Sequence, residues 1–275
     1  MRAECLRDDA GVLHRPAPDA RIVSLVPSIT ELLFDLGLGA RVVGRTGFCI
    51  HPEPAVRAVA KVGGTKDVKL DALRAVQPTH VIVNIDENDA DTVDAMRAFV
   101  PHIVVTHPNA PEDTLALYAL IGTLFGAGER ASALGAALTQ ELTACRKTCW
   151  NPERVLYLIW KHPWMTIAVD TYIARTLASV GWMVTTAPGG WAGAARYPQV
   201  DDIVAAATAV DRVLLSTEPY LFTAADAEDL RAQVATPVQL IDAEMTSWYG
   251  SRAIRGLAYL RELRELRGDR SAHRA

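Results

Sequence analysis

Short apolar, β-branched runs recur through the first half of the chain: Arg21–Val26 (RIVSLV), Val42–Thr46, His80–Asn84 (HVIVN) and His102–His107 (HIVVTH). Between them, Ser28–Gly37, Leu70–Val76 and Ala90–Phe99 carry apolar residues at helical spacing. Strands without polar alternation, interleaved with helices, predict a parallel sheet covered on both faces. Within SITELLFDLG, Ser28 reads as an N-cap, Glu31 as its capping-box partner and Gly37 as the stop.

A second series starts near Arg154. Its strands are Arg154–Trp160 (RVLYLIW), Met165–Val169, Arg212–Thr217 (RVLLST) and Val238–Asp242, and its helices are Thr171–Gly181, Thr223–Ala235 and Gly250–Leu266. Between the two series, Glu129–Cys149 is an unbroken helix pattern with no linker character, roughly 30 Å long at 1.5 Å per residue. The halves echo each other: LDALRAVQPTHVIVNIDEN and VDDIVAAATAVDRVLLSTEPY are both helix, break, strand and acidic loop. The fold class is therefore α/β, with two Rossmann-like lobes on central parallel sheets, joined by a single long helix. The expected boundaries are an extension over 1–20, a lobe over 21–128, a bridging helix over 129–150, a lobe over 151–267 and a tail over 268–275.

Charge narrows the partners. With 28 Lys+Arg against 32 Asp+Glu in 275 residues, nothing electrostatic recommends nucleic acid or an anionic membrane. No stretch reaches the ~20 apolar residues of a membrane span. The first 20 residues are polar, without the apolar segment of a secretory signal, so the expectation is a cytoplasmic protein with reduced cysteines. Of the four cysteines, Cys145 and Cys149 read as a structural thiol pair on one helix face, and Cys5 and Cys49 stand apart. No spaced metal-ligand set and no phosphate-binding glycine loop is present, so neither a metal centre nor a built-in cofactor is expected.

Candidate chemistry gathers on loops after strands, where open α/β sheets bind ligands. Pro27–Thr30 opens a helix whose free N–H groups suit an anion or an ordinary cap. Arg45–Pro52 holds Phe48, Cys49 and His51, readable as a pocket wall or as a nucleophile with its base. The acidic loop 84–88 (NIDEN) suits a solvated turn, a hydrogen-bonding patch for a polar ligand, or oxygen ligands to a hard cation. In the second half, Trp160, Trp164, Trp191, Tyr197 and Trp248 form an aromatic set on loops, with Lys161 and Arg196 among them and Tyr220 on the loop of Glu218. Gly189, Gly190 and Gly193 would let one of those loops flex. Glu218 and Glu244 are two carboxylates at strand ends, suited to acid–base work or to ligating a cation.

Together these segments resemble a known family. DDAGVLHRPAPDARIVSLVPSITELLFDLGLGARVVGRT, then HPEP, then VGGTKDVKLDALRAVQPTHVIV, is similar to the N-lobe of helical-backbone substrate-binding proteins of ABC importers, the class that delivers cobalamin, haem and iron–siderophores. RYPQVDDIVAA and RVLLSTEPY resemble its C-lobe, and cobalamin binders are the nearest subgroup. The resemblance implies an aromatic ligand contact at Phe48 and permease-docking carboxylates at Asp71 and Asp202. Lys66 stands in the loop where cobalamin binders present a tryptophan.

The resulting expectation is a non-catalytic binding protein holding a corrinoid, haem-like compound or metal–siderophore between its lobes, with an ABC permease as partner. Its ligand-binding residues are Phe48, His51, Lys66, Trp160, Trp164, Arg196, Tyr197, Glu218, Tyr220, Glu244, Trp248 and Tyr249. Two competing readings are an enzyme on the same scaffold using Glu218, Glu244, His51 and Cys49, and a partner-binding regulator with a vestigial cleft.

Overall fold

The computed structural model describes residues 6–185 and 195–272. The chain divides into two compact units. Residues up to Pro108, Glu112–Leu138 and Tyr249–Arg252 form the first; Asn109–Pro111, Thr139–Trp248 and the chain from Ala253 onward form the second.

In the first unit the sheet contains β3 (Ile22–Ser24), β4 (Val42–Arg45), β5 (Ala60–Lys61), β6 (His80–Asn84) and β7 (His102–Thr106), in the order β5-β4-β3-β6-β7. All its pairings are parallel. Every residue of β3 and β6 is buried, which is why their sequences show apolar runs rather than alternation. The helices are α1 (Pro27–Asp35), α2 (Leu70–Ala75), α3 (Ala90–Met96) and α4 (Thr114–Leu124). One core cluster joins Val23, Leu25, Leu73, Val81, Met96 and Val105.

A short hairpin of β1 (Leu6–Arg7) and β2 (Leu13–His14) precedes this sheet and closes its β7 edge. Asp9 N donates to Val105 O at 3.0 Å, and Asp8 Oδ2 accepts from Val105 N at 3.0 Å. Unpaired β7 groups are thereby satisfied on a strand that would otherwise template association. Residues 6–14 thus pair with the sheet rather than trailing from it as the expected extension; Cys5 lies outside the described residues.

The α1 helix departs from its expected start. Val26 is the N-cap and makes no side-chain cap bond, while Pro27 occupies the first turn, where its missing N–H costs nothing. Glu31 is instead claimed by Arg252, with oxygens 2.7 Å from Nε and from the second terminal nitrogen. The stop is as read. Gly37 adopts φ +75°, Gly37 N bonds Phe34 O and Leu38 N bonds Leu33 O, a Schellman ending.

In the second unit β8 (Glu153–Trp160), β10 (Trp182–Val184), β11 (Arg212–Ser216) and β12 (Val238–Ile241) run parallel in the order β10-β8-β11-β12. The expected strand Met165–Val169 shrinks to β9 (Met165–Thr166), antiparallel to β8. The helices are α6 (Tyr172–Ala178), α7 (Ile203–Thr208), α8 (Ala224–Arg231), α9 (Glu244–Ser247) and α10 (Arg252–Ala272). Thr171, Asp202 and Thr223 cap α6, α7 and α8 through their side chains. Leu156, Leu158, Val213, Leu215, Phe222 and Leu230 make the core.

The long helix α5 (Gly128–Lys147) starts in the first unit and ends in the second. It stops before Cys149, so the expected thiol pair does not form one face: Cys145 is buried and Cys149 exposed, both as free thiols. Among the described residues no helix is long and apolar enough to cross a membrane.

Two measurements test this account. The Arg252–Glu31 side chains are 5% and 6% exposed. Arg252→Ala, which strands a buried carboxylate, is expected to cost about 3–5 kcal/mol of unfolding free energy, and Arg252→Met with Glu31→Leu far less; denaturant melts compare them. His80 is held neutral, its pKa lowered from 6.5 to about 4 by burial, then by His102 and His14. The unfolded chain binds that proton first as pH falls. Stability is therefore full above pH 6.5 and declines towards about 4. His80→Gln is expected to flatten that slope in denaturant melts near pH 7 and near pH 5.

Candidate functional site

The carboxyl edge of the first sheet is built by loops that bond to one another. After β4 the chain turns at Thr46–Cys49, and Gly47 N donates to Gly63 O at 2.7 Å. Gly63 has φ +114°, and a Cβ there would stand 2.4 Å from Asp67 O, so only glycine permits this turn. Phe48 lies against Gly64 and is 63% exposed. Ile50 and Ile85, at 44% and 51%, are exposed on the same set of loops. Large apolar groups left in water at a sheet's carboxyl edge mark a ligand surface.

Asn88 ties these loops together, a role the sequence reading did not assign. Its Nδ2 donates to Thr65 O at 3.0 Å and Leu25 O at 3.3 Å, and its Oδ1 accepts from Asn84 N at 2.8 Å. The ends of β3 and β6 and the turn at Thr65 thus share one buried amide. Its signal was available: an Asn in the loop following the buried strand HVIVN. Around it Lys66 Nζ donates to Asp86 O at 3.1 Å, and His107 Nε2 stands 3.3 Å from Asp86 Oδ2. Tyr249 donates its hydroxyl to Glu87 Oε1 at 2.6 Å. Burial and the Glu87 charge push the Tyr249 phenol well above its ordinary pKa, so it remains a donor.

Cys49 is buried and held by two threonines. Thr30 Oγ1 donates to its sulfur at 3.1 Å and Thr46 Oγ1 lies 3.2 Å away. Burial pushes the thiol up, against the weaker pull of those bonds and of Arg45. His51, two residues on, is half-buried.

At the carboxyl edge of the second sheet the aromatic residues form a ladder. Trp160 meets Tyr220 edge-on at 5.6 Å, Tyr220 meets Phe222 at 4.7 Å, and Phe222 stacks on Trp164 at 5.9 Å. Trp164 and Tyr220 pack on the core, which gives them a structural share, while Trp160 ends the ladder 40% exposed. Tyr197 is also 40% exposed and Leu221 68%. Lys161 is held by Asp226 at 2.6 Å and covers Trp164. Arg196 bonds Asn109 Oδ1 at 2.9 Å. Trp191 and glycines 189, 190 and 193 lie outside the described residues.

Trp248, only 8% exposed, donates its indole N–H to Glu218 Oε2 at 3.2 Å. Glu244 heads α9, which replaces the expected loop, and its N–H bonds Asp242 Oδ1 at 3.0 Å. The structure thus gives Glu218 an aromatic donor. Asp71 projects from α2 with its carboxylate 99% exposed, 3.2 Å from Arg74, and exposed Asp202 caps α7. Among the described residues no group of three or more His, Cys, Asp or Glu side chains could hold a metal ion. A cavity of about 490 Å³ opens at the opposite, amino edge of the second sheet. It offers little to a ligand: Arg212 there is paired with Glu153, and Arg231 with Val238 O.

Comparison with known proteins follows the same outline. The sequence profile of the family described as periplasmic binding protein matches residues 22–233. A vitamin B12-binding protein of Vibrio parahaemolyticus serotype O3:K6 (strain RIMD 2210633) is 24% identical over 208 residues, 75% of this chain and 71% of that protein. The periplasmic vitamin B12 binding protein BtuF of Vibrio cholerae superposes with a TM-score of 0.77 at 16% identity, covering 91% of this chain and 98% of that one. The periplasmic heme-binding protein RhuT from Roseiflexus sp. RS-1 in apo form gives 0.70 at 22% identity, over 88% and 97%. These matches overturn the cytoplasmic expectation, since the family and the two solved structures named are periplasmic binding proteins. The polarity of residues 1–20 does not set the compartment.

Thiol labelling tests the environment of Cys49. In a Cys5→Ser background, Cys149 is expected to alkylate at once and Cys49 only on unfolding; prompt modification of Cys49 in the folded protein would restore it as a reactive group.

Proposed function

The chain belongs to the periplasmic binding protein family, and from that membership we propose that it captures a corrinoid for an ABC importer. The observation that carries the ligand class is the concentration of exposed large apolar side chains at the carboxyl edges of the two sheets: Phe48, Ile50 and Ile85 on one, Trp160, Tyr197 and Leu221 on the other. A broad, flat macrocycle buries such groups, whereas a small polar solute would leave them wet. The vitamin B12-binding relative supports a corrinoid among the macrocycles.

Phe48, His51, Lys66, Trp160, Arg196, Tyr197, Glu218 and Trp248 are the contacts this reading retains, with Tyr249 behind Glu87. Trp164, Tyr220 and Glu244 support them. The ligand is cargo rather than a resident cofactor. The binding reading is favoured over the enzymatic alternative by the family and by the burial of the Cys49 thiol which that alternative would use. Asp71 and Asp202 are the carboxylates that would meet a permease, and Asp71 is the more available of the two.

Titration with cyanocobalamin and with haemin, followed by tryptophan fluorescence, tests the assignment. Saturable one-to-one quenching by cyanocobalamin is expected. Phe48→Ala should weaken it by about 1–2 kcal/mol without lowering Tm, because the ring is mostly in solvent. Binding of haemin alone, or of neither, would overturn the corrinoid reading.

A further inference from the structure

Lys66 stands at the tip of a tight turn that its own unit holds on two sides. The turn is closed by the bridge between Gly63 and Val68 and by Gly64 N donating to Asp67 O at 2.7 Å. At its tip, Thr65 O accepts from Asn88 Nδ2 at 3.0 Å, and Lys66 Nζ donates to Asp86 O at 3.1 Å. Asp86 is braced in turn. Its N–H bonds Asn84 Oδ1 at 2.8 Å, and its Oδ2 stands 3.3 Å from His107 Nε2. Phe48, 63% exposed, lies against Gly64 of the same turn.

A lysine tethered to a carbonyl keeps its charge. The ammonium has three donors, and a backbone oxygen takes one of them without neutralising it. Among the described residues Lys66 has no carboxylate within ion-pair reach, whereas Lys161 is neutralised by Asp226 at 2.6 Å. Lys66 is also exposed, so its two remaining N–H groups face water. Its tether orders a long side chain before any ligand arrives, which lowers the entropic cost of a contact. A fixed, uncompensated cation beside an apolar ring suits a ligand with an apolar body and an anionic arm.

We propose that Lys66 is a specificity-determining residue that takes an anionic group of the ligand, in a corrinoid its phosphate. The inference rests on the corrinoid reading and needs only the loops of the first unit. Asp67, Asp86 and Glu87, on the same turn and the loop it is tied to, work against an anion. A donor at contact distance outweighs charges that meet the ligand through water and salt.

The test is calorimetric titration of the full chain with dicyanocobinamide, which lacks the phosphate and nucleoside, with dicyanocobinamide phosphate, which restores the phosphate alone, and with cyanocobalamin. At low salt the wild-type protein should bind the phosphate derivative about fivefold more tightly than dicyanocobinamide. Lys66→Gln should close that gap by weakening only the phosphate-bearing ligands, and Lys66→Arg should keep most of it. Lys69→Gln removes an exposed lysine three residues on and should leave the gap intact. Raising salt to about 0.5 M should shrink the gap in the wild-type protein and change nothing in Lys66→Gln. Equal binding of the two cobinamides, or tighter binding of the one without phosphate, overturns the inference. So does a gap that survives in Lys66→Gln or is lost equally in Lys69→Gln. In each of these cases bound cyanocobalamin leaves the corrinoid reading standing. If no corrinoid binds, that reading falls, and haemin against its dimethyl ester puts the same question to a carboxylate arm. A preference for the free acid that Lys66→Gln removes then upholds the anion contact alone; its absence overturns both.

Discussion

The buried Arg252–Glu31 pair is the interaction on which the first unit's site depends. Its two short, charge-assisted bonds fix Tyr249–Arg252, four residues that the C-terminal half of the chain contributes to the N-terminal unit. Tyr118 donates to Gly250 O at 2.8 Å, and Gly250 lies so close that a Cβ would stand 3.0 Å from Ser28 O. With φ +76° that residue must be glycine. Once the segment is seated, Tyr249 reaches Glu87. Burying an ion pair is expensive in desolvation. What it provides here is register, in that one segment can dock in one way only.

A second constraint follows from the parallel sheets. With both faces covered, β3 and β6 offer no polar side chain to solvent along their length. Recognition groups can only appear where the strands end. The loops at that edge therefore carry a double duty, satisfying one another's backbone while leaving Phe48, Ile50 and Ile85 in water. Asn88 resolves the conflict by meeting three backbone groups with one amide, so the apolar side chains beside it are free to face outward.

Most of the order of elements, the parallel sheets, a long helix read over 129–149 and the Gly37 stop were legible from period and punctuation, because each is set by local spacing and backbone chemistry; the short strands Ala60–Lys61 and Trp182–Val184 were not. The clustering of candidate groups after strands was legible too. α4 escaped notice, since its outward positions Ala116 and Ala119 are apolar as well as its buried Leu117, Tyr118, Ile121 and Leu124, which blurs its helical period. The capping box at Ser28 misled for a different reason. Its glutamate had a stronger partner 221 positions away, which no local pattern encodes.

What tertiary structure alone decided is which side chain satisfies which. The aromatic residues looked equivalent along the chain, yet stacking consigned Trp164 to the core and left Trp160 at the surface. Cys49 and His51 were readable as a pocket wall or as a nucleophile with its base, and only the fold shows the thiol buried between two threonines. Glu218 and Glu87 looked like loop acids, and only the fold brought an indole and a phenol to them. Sequence determines periodicity because it acts over a few residues. Pairing between distant side chains depends on where packing of the whole chain sets the backbone down, and that is a property of the fold.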